Sequence, residues 1–157
     1  MDLDRFDRQL LNLVQQDSAQ TAEQLAEHVG LSPSAIQRRL KRLREQGVIA
    51  RDAAIVDPRA VGRPTFFVVS LEIERDRPEL LAELREWLTK RPEIQQAFYV
   101  TGETDFVIVV TARDTEAFDA MMSQLVQENP NVRRFTTNVV LNLIKQGLAI
   151  PIPLDGE

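Results

Sequence analysis

"TAEQLAEHVGLSPSAIQRRLKRLREQG", residues 21–47, is the stretch on which the fold turns. Thr21 with Gln24 three residues on has the form of a capping box, Leu25 and Val29 share a helical face, and Gly30 suits a C-cap. Ser32 then offers a fresh N-cap, and Pro33 takes a first helical position, where a missing N–H costs nothing. The spacing predicts a helix from there to about Gln46, stopped by Gly47. About three residues separate the two helices. So tight a joint forces a sharp crossing, the helix-turn-helix arrangement. Upstream, "DRFDRQLLNLVQQ" places Phe6, Leu10, Leu13 and Val14 on one stripe behind Asp4 as N-cap, which adds a preceding helix.

Five of the eight residues from Gln37 to Arg44 are basic, in a chain whose net charge is -5. On a wheel of about 100° per residue, Ile36, Leu40 and Leu43 turn inward. Ser34, Arg38, Lys41 and Arg42 lie opposite, with Gln37 and Arg39 on the flanks. A solvated basic face is the ordinary reading of such a helix. Three features favour duplex DNA instead: the place of the helix in a tight pair, the charge gathered against the sign of the whole, and a run read as lacking acidic partners at i+3 or i+4. Ser34, Gln37 and Arg38, near the helix start, are placed to reach base edges. Arg39, Lys41, Arg42 and Arg44 are placed for phosphates, and Ser32 either caps the helix or also touches the backbone.

Beyond Gly47 the pattern changes. "VIARDAAIVD" is β-leaning and reads as a strand in a linker punctuated by Pro58, Gly62 and Pro64. Then come a strand "TFFVVSLEIE", a helix with Leu80, Leu81, Leu84, Trp87 and Leu88 on one side, strands "IQQAFYVT" and "DFVIVVTA" joined by "GETD", a helix with Phe118, Met121, Met122, Leu125 and Val126 inward, and a closing strand "VRRFTTNVVLNLI". That order builds two right-handed crossovers into one antiparallel sheet with both helices on one face. The expected fold class is α+β: an N-terminal (winged) helix-turn-helix over residues 1–50, a strand and linker over 51–64, and a ferredoxin-like βαββαβ sandwich over 65–157. The other sheet face, with Phe66, Val68, Val107 and Val109, is too apolar to stay wet, so a homodimer is expected.

Composition narrows the function. With no cysteine and only His28, thiolate chemistry, disulfides and the usual zinc sites drop out, and no metal or cofactor is expected. No apolar run approaches the roughly 20 residues of a membrane span. The acidic opening "MDLDRFDRQL" lacks a signal core, so a cytoplasmic, nucleoid-associated protein is expected. His28 suits a helix end, Met121, Met122 and Trp87 suit packing, and Arg133 and Arg134 suit the surface.

A capped "LAEHVGLSPSAIQRRLKRLREQGVI", a short linker and a ferredoxin-like half carrying "VTGETDFVI" together resemble the Lrp/AsnC, or feast/famine, regulators. The resemblance spans nearly the whole chain. It implies a transcription regulator, not an enzyme, that binds double-stranded DNA, dimerises through its sheets and assembles into tetramers, octamers or larger rings. It also implies a small amino-acid-like effector held near the turn. Carried over by position, the candidates are Tyr99, Thr101, Gly102, Glu103, Thr104 and Asp105, with Thr137 from the last strand. The chain departs from the pattern it resembles at Thr104, where some members of the family carry an aromatic residue. Gly102 permits a tight turn offering N–H groups to a carboxylate, and Asp105 or Glu103 could hold an ammonium. An ordinary hairpin turn uses the same residues. Two other functions fit the architecture: an effector-free architectural DNA protein, and a sirohaem-decarboxylase-like enzyme, which would need histidines this chain lacks.

Overall fold

The computed structural model describes residues 2–62, 64–75 and 77–154. The first three helices form where local signals put them. Helix α1 spans Arg5–Val14, and Asp4 and Asp7 cap each other's backbone reciprocally. Helix α2 spans Ala22–Val29, with the Thr21–Gln24 capping box made and Gly30 in the left-handed region at φ 75°. Helix α3 spans Pro33–Glu45 behind Ser32, whose hydroxyl accepts from the Ala35 N–H. Leu10, Leu25, Val29, Ile36 and Leu40 are buried together, with Leu13, Val14 and Ile49 packed around them. Phe6, expected on this stripe, is instead 37% exposed at its edge.

The second set of elements is β1 (Thr65–Ile73), α4 (Pro78–Lys90), β2 (Ile94–Tyr99), β3 (Phe106–Ala112), α5 (Thr115–Glu128) and β4 (Val132–Val139). The sheet order is β2-β3-β1-β4 with every pairing antiparallel, as the two interleaved crossovers require. Register sets the faces. Phe67 lies opposite Val110, Val69 opposite Ile108 and Leu71 opposite Phe106. These side chains are buried under Leu81, Leu84 and Leu88 of α4 and Phe118, Met122 and Leu125 of α5. Phe67 and Phe118 stack with ring centroids 3.9 Å apart. Trp87 sits beside this core, its indole N–H donating to Glu128. Arg133 and Arg134 are exposed and pair with Glu72.

On the opposite sheet face Val68, Val107 and Val109 are half-buried, and Phe98, opposite Val107, is exposed. Phe66 is itself buried within the chain.

Val126, expected inward on α5, is 38% exposed, and three larger expectations change. Residues 48–57 form no strand, and only a single 3-10 turn follows at Pro58–Val61. A strand needs a hydrogen-bonded neighbour, and among the described residues none lies beside this segment. The closing strand ends at Val139 instead of running to Ile144, with Val140 making one last bond to Phe66. Finally, the chain divides into Met1–Ile55 with Lys145–Glu157, and Val56–Ile144. The last residues, expected in the ferredoxin-like half, therefore group with the helix-turn-helix; residues 155–157 lie outside the described ones.

Candidate nucleic-acid interface

Helix α3 is anchored by Ile36, Leu40 and Leu43, all buried. Its opposite side presents Ser34, Gln37, Arg38, Lys41, Arg42 and Arg44 to solvent. Ser32 is exposed as well, its hydroxyl shared between the Ala35 N–H at 3.3 Å and the Ser34 hydroxyl at 3.2 Å. The cap and first two turns thus present three short or amide side chains and one arginine, Arg38, which among the described residues makes no ion pair.

The other cations are not equivalent. Arg39 turns to α1, where its guanidinium lies 2.7 Å from Asp4 and 2.8 Å from Asp7 and 5.5 Å above the Phe6 ring. Arg42 pairs with the second oxygen of Asp7. Asp7 is only 1% exposed, so its charge requires those two partners. Burial pushes the Asp4 carboxyl up, but the Asp7 N–H and the Arg39 guanidinium outweigh it and hold Asp4 below the usual carboxylate range. Burial likewise opposes the charge on Arg39, and its bonds to Asp4 and Asp7 overcome that and raise its pKa. Arg39, expected at phosphates, is therefore a fastener between α1 and α3, because the wheel of one helix does not show what packs on its flank. Arg42 is shared, still 45% exposed beyond its bond to Asp7.

Lys41 does have an acid at i+4: Glu45 lies 3.7 Å away, which corrects the expectation of an unpaired run. Arg44 reaches Asp52 at 3.1 Å. Both pairs are solvated and weak, about 0–1 kcal/mol, so either cation is free to exchange partners for a phosphate.

Asp7 was not singled out from sequence, and Asp4 was read only as an N-cap. The signal was present, since Asp7 shares a face with Leu10, Leu11 and Val14, and a carboxylate on an inward stripe demands a cation. His28, at the end of α2, bonds through Nδ1 to the Gln24 carbonyl at 2.9 Å.

At the other candidate site, the turn gathers Tyr99, Thr101, Gly102, Glu103, Thr104 and Asp105 between β2 and β3. Gly102 adopts φ 124°, where a side chain would be strained. Thr104 and Asp105 are committed to fastening the turn to β1. The Thr104 hydroxyl donates to the Leu71 carbonyl at 2.7 Å, and the Asp105 carboxylate accepts from the Ile73 N–H at 2.8 Å. Thr101, Gly102 and Glu103 are exposed. Tyr99 packs on Phe106 with the Arg85 guanidinium 5.2 Å above its ring. Thr137 is not brought to the turn. It lies on β4 opposite Val69, and its buried hydroxyl has no hydrogen-bond partner among the described residues.

A profile described as the Lrp/AsnC ligand binding domain matches residues 67–150, more than half of the chain, and one described as winged helix-turn-helix DNA-binding matches residues 3–50. The chain belongs to the Lrp/AsnC family.

Among Lrp/AsnC relatives, an HTH-type transcriptional regulator of Sinorhizobium fredii is 43% identical over 98% of this chain and 91% of its own length. The leucine-responsive regulatory protein of Escherichia coli is 30% identical, over 92% of this chain and 88% of that protein. Among solved structures, an L-methionine complex of a Neisseria meningitidis transcriptional regulator superposes with a TM-score of 0.86 at 29% identity, covering 96% of this chain and 97% of that one. The Lrp/AsnC profiles put a helix-turn-helix and a ligand-binding domain on one chain. Among the described residues no helix is long and apolar enough to cross a membrane.

Proposed function

We propose that this protein is a transcriptional regulator that reads double-stranded DNA through the first turns of α3 and changes its affinity or assembly on binding a small amino acid. The observation that carries the reading is the exposed set Ser34, Gln37 and Arg38 on a helix whose other side is buried. Arg38 and Gln37 contact bases, Arg42, Lys41 and Arg44 contact phosphates, and Ser32 keeps the helix start in place. Arg39 fixes the angle of α3 and touches no DNA.

The effector reading rests on the family and on the chemistry of the turn. Thr104 and Asp105 hold the turn rigid, which leaves the backbone about Gly102 for a carboxylate and Glu103 for an ammonium group. The Neisseria relative's L-methionine complex supports an α-amino acid as the class. The half-exposed apolar face of Val68, Phe98, Val107 and Val109 supports a homodimer built on the sheet, with higher assemblies growing from it. A regulator of this kind works on DNA in the cytoplasm and needs no catalysis.

Differential scanning fluorimetry of the full chain against the twenty amino acids tests the effector. A ligand at a hundred times its Kd stabilises by about 2.7 kcal/mol, and that gain should vanish in Glu103→Ala. No stabilisation by any amino acid would remove the effector from the mechanism.

A further inference from the structure

The unassigned feature is a strap on the outer side of α1. Arg8, Asn12 and Gln15 stand at i, i+4 and i+7, hence on one face of the helix. That face is occupied by the chain's own last residues. The Asn12 amide donates to the Ile152 carbonyl at 2.8 Å and accepts from the Ile152 N–H at 3.2 Å. Gln15 treats Ile150 the same way, donating at 3.1 Å and accepting at 2.8 Å. Arg8 reaches the Pro153 carbonyl at 3.2 Å.

All five bonds go to backbone, and the sequence of the segment fits that mode of reading. In Ile150-Pro151-Ile152-Pro153 only the two isoleucines have an N–H, and each N–H is the one bonded by an amide of α1. The proline after each isoleucine fixes its own φ and pushes that isoleucine into extended backbone. The segment is therefore set before docking and loses little conformational freedom on binding.

The chain passes between its two units twice, at 55–56 and at 144–145. The second passage begins five residues after β4 ends at Val139. We propose that α1 carries a peptide-reading surface whose ligand is Ile150–Pro153, and that this strap gives the ligand-binding domain a second hold on the DNA-binding unit, restricting its freedom and raising its affinity for DNA. The second half of this proposal rests on the DNA-binding reading above. The docking itself does not.

Hydrogen exchange of the full chain reads the docking directly, because Ile150 and Ile152 hold the only amide protons in that segment. Both should be protected in the wild type and exchange at free-peptide rates in Asn12→Ala/Gln15→Ala, with Gln16→Ala, in the exposed turn that follows α1, behaving as wild type. DNA titration of the same proteins should show the double variant several-fold weaker with an unchanged salt slope, since no phosphate contact is lost. Unprotected isoleucine amides in the wild type would overturn the strap. Protected amides with equal DNA affinity in the double variant would overturn its role. Failure of the wild type to bind any duplex would instead strike the DNA reading and leave the exchange result standing.

Discussion

Two substitutions that remove the same formal charge from α3 should have opposite consequences. Lys41→Ala takes away a cation held only by an exposed partner 3.7 Å off. Each phosphate contact adds about 0.9 to the slope of log affinity against log salt, so the contribution of Lys41 should shrink by about 3.5-fold between 50 and 200 mM. Stability should barely change. Arg39→Ala takes away the guanidinium that bridges Asp4 and Asp7 and leaves Asp7, 1% exposed, with Arg42 alone. A lost hydrogen bond to a buried charge costs about 1.5–3 kcal/mol, and the half-exposed Asp4 pair adds about 0–1, so roughly 2–4 kcal/mol of stability should go. The salt slope should stay at the wild-type value. Fluorescence anisotropy on a random duplex at four salt concentrations suffices for the slopes, and urea unfolding for the stabilities. A flattened slope in Arg39→Ala with an unmoved urea midpoint would show that Arg39 faces phosphate, and the division of the basic run would be wrong.

Further outcomes follow from other contacts. Arg38→Ala should lower discrimination at one base position by about 1–3 kcal/mol, read by competition among single-site operator variants once a site is selected. Asp4→Asn keeps a good N-cap but loses the charge. Because the folded Asp4 carboxyl lies below its ordinary 3.8, its stabilising effect is present above that value and is lost as pH falls through the folded pKa, so wild type and variant should differ in urea at pH 7 and draw together only as the pH is taken below 3.8. Leu84→Ala, at a site 1% exposed beneath the sheet, should cost about 2–5 kcal/mol in thermal or urea unfolding. Thr104→Val should cost about 0.5–1.5 kcal/mol by removing one of the two hydrogen bonds that the Leu71 carbonyl accepts, and raise exchange at the Asp105 amide, which supplies the other.

What could be read from sequence was what is local or periodic. An N-cap at Asp4, a capping box at Thr21, a C-cap glycine at Gly30 and Pro33 at the first helical position act within one turn, so the helix starts were legible. The alternation through Phe67, Val69 and Leu71 was legible for the same reason, and with it the strand order. Residues 48–57 show the limit: β-leaning composition forms no strand without a neighbour to complete the ladder. The candidate site divides along the same line. Exposure of Ser34, Gln37 and Arg38 follows from the wheel of α3 alone. The fate of Arg39 and Arg42 depends on carboxylates more than thirty residues away on α1, and the amides of Asn12 and Gln15 depend on a segment at the other end of the chain. Pairings across such distances leave no periodic trace.

The grouping of residues 1–55 with 145–157 has a practical meaning for anyone recombining such regulators. In chain order, the ligand-binding domain is an insertion, not an appendage: the polypeptide leaves the DNA-binding unit, folds a complete sandwich and comes home to finish α1's outer face. Exchanging sensors between two of these proteins with a single crossover in the linker would import a foreign tail onto Asn12 and Gln15. A chimera cut at both passages, 55–56 and 144–145, would carry the sensor as a self-contained cassette and leave each head with the tail it was built around.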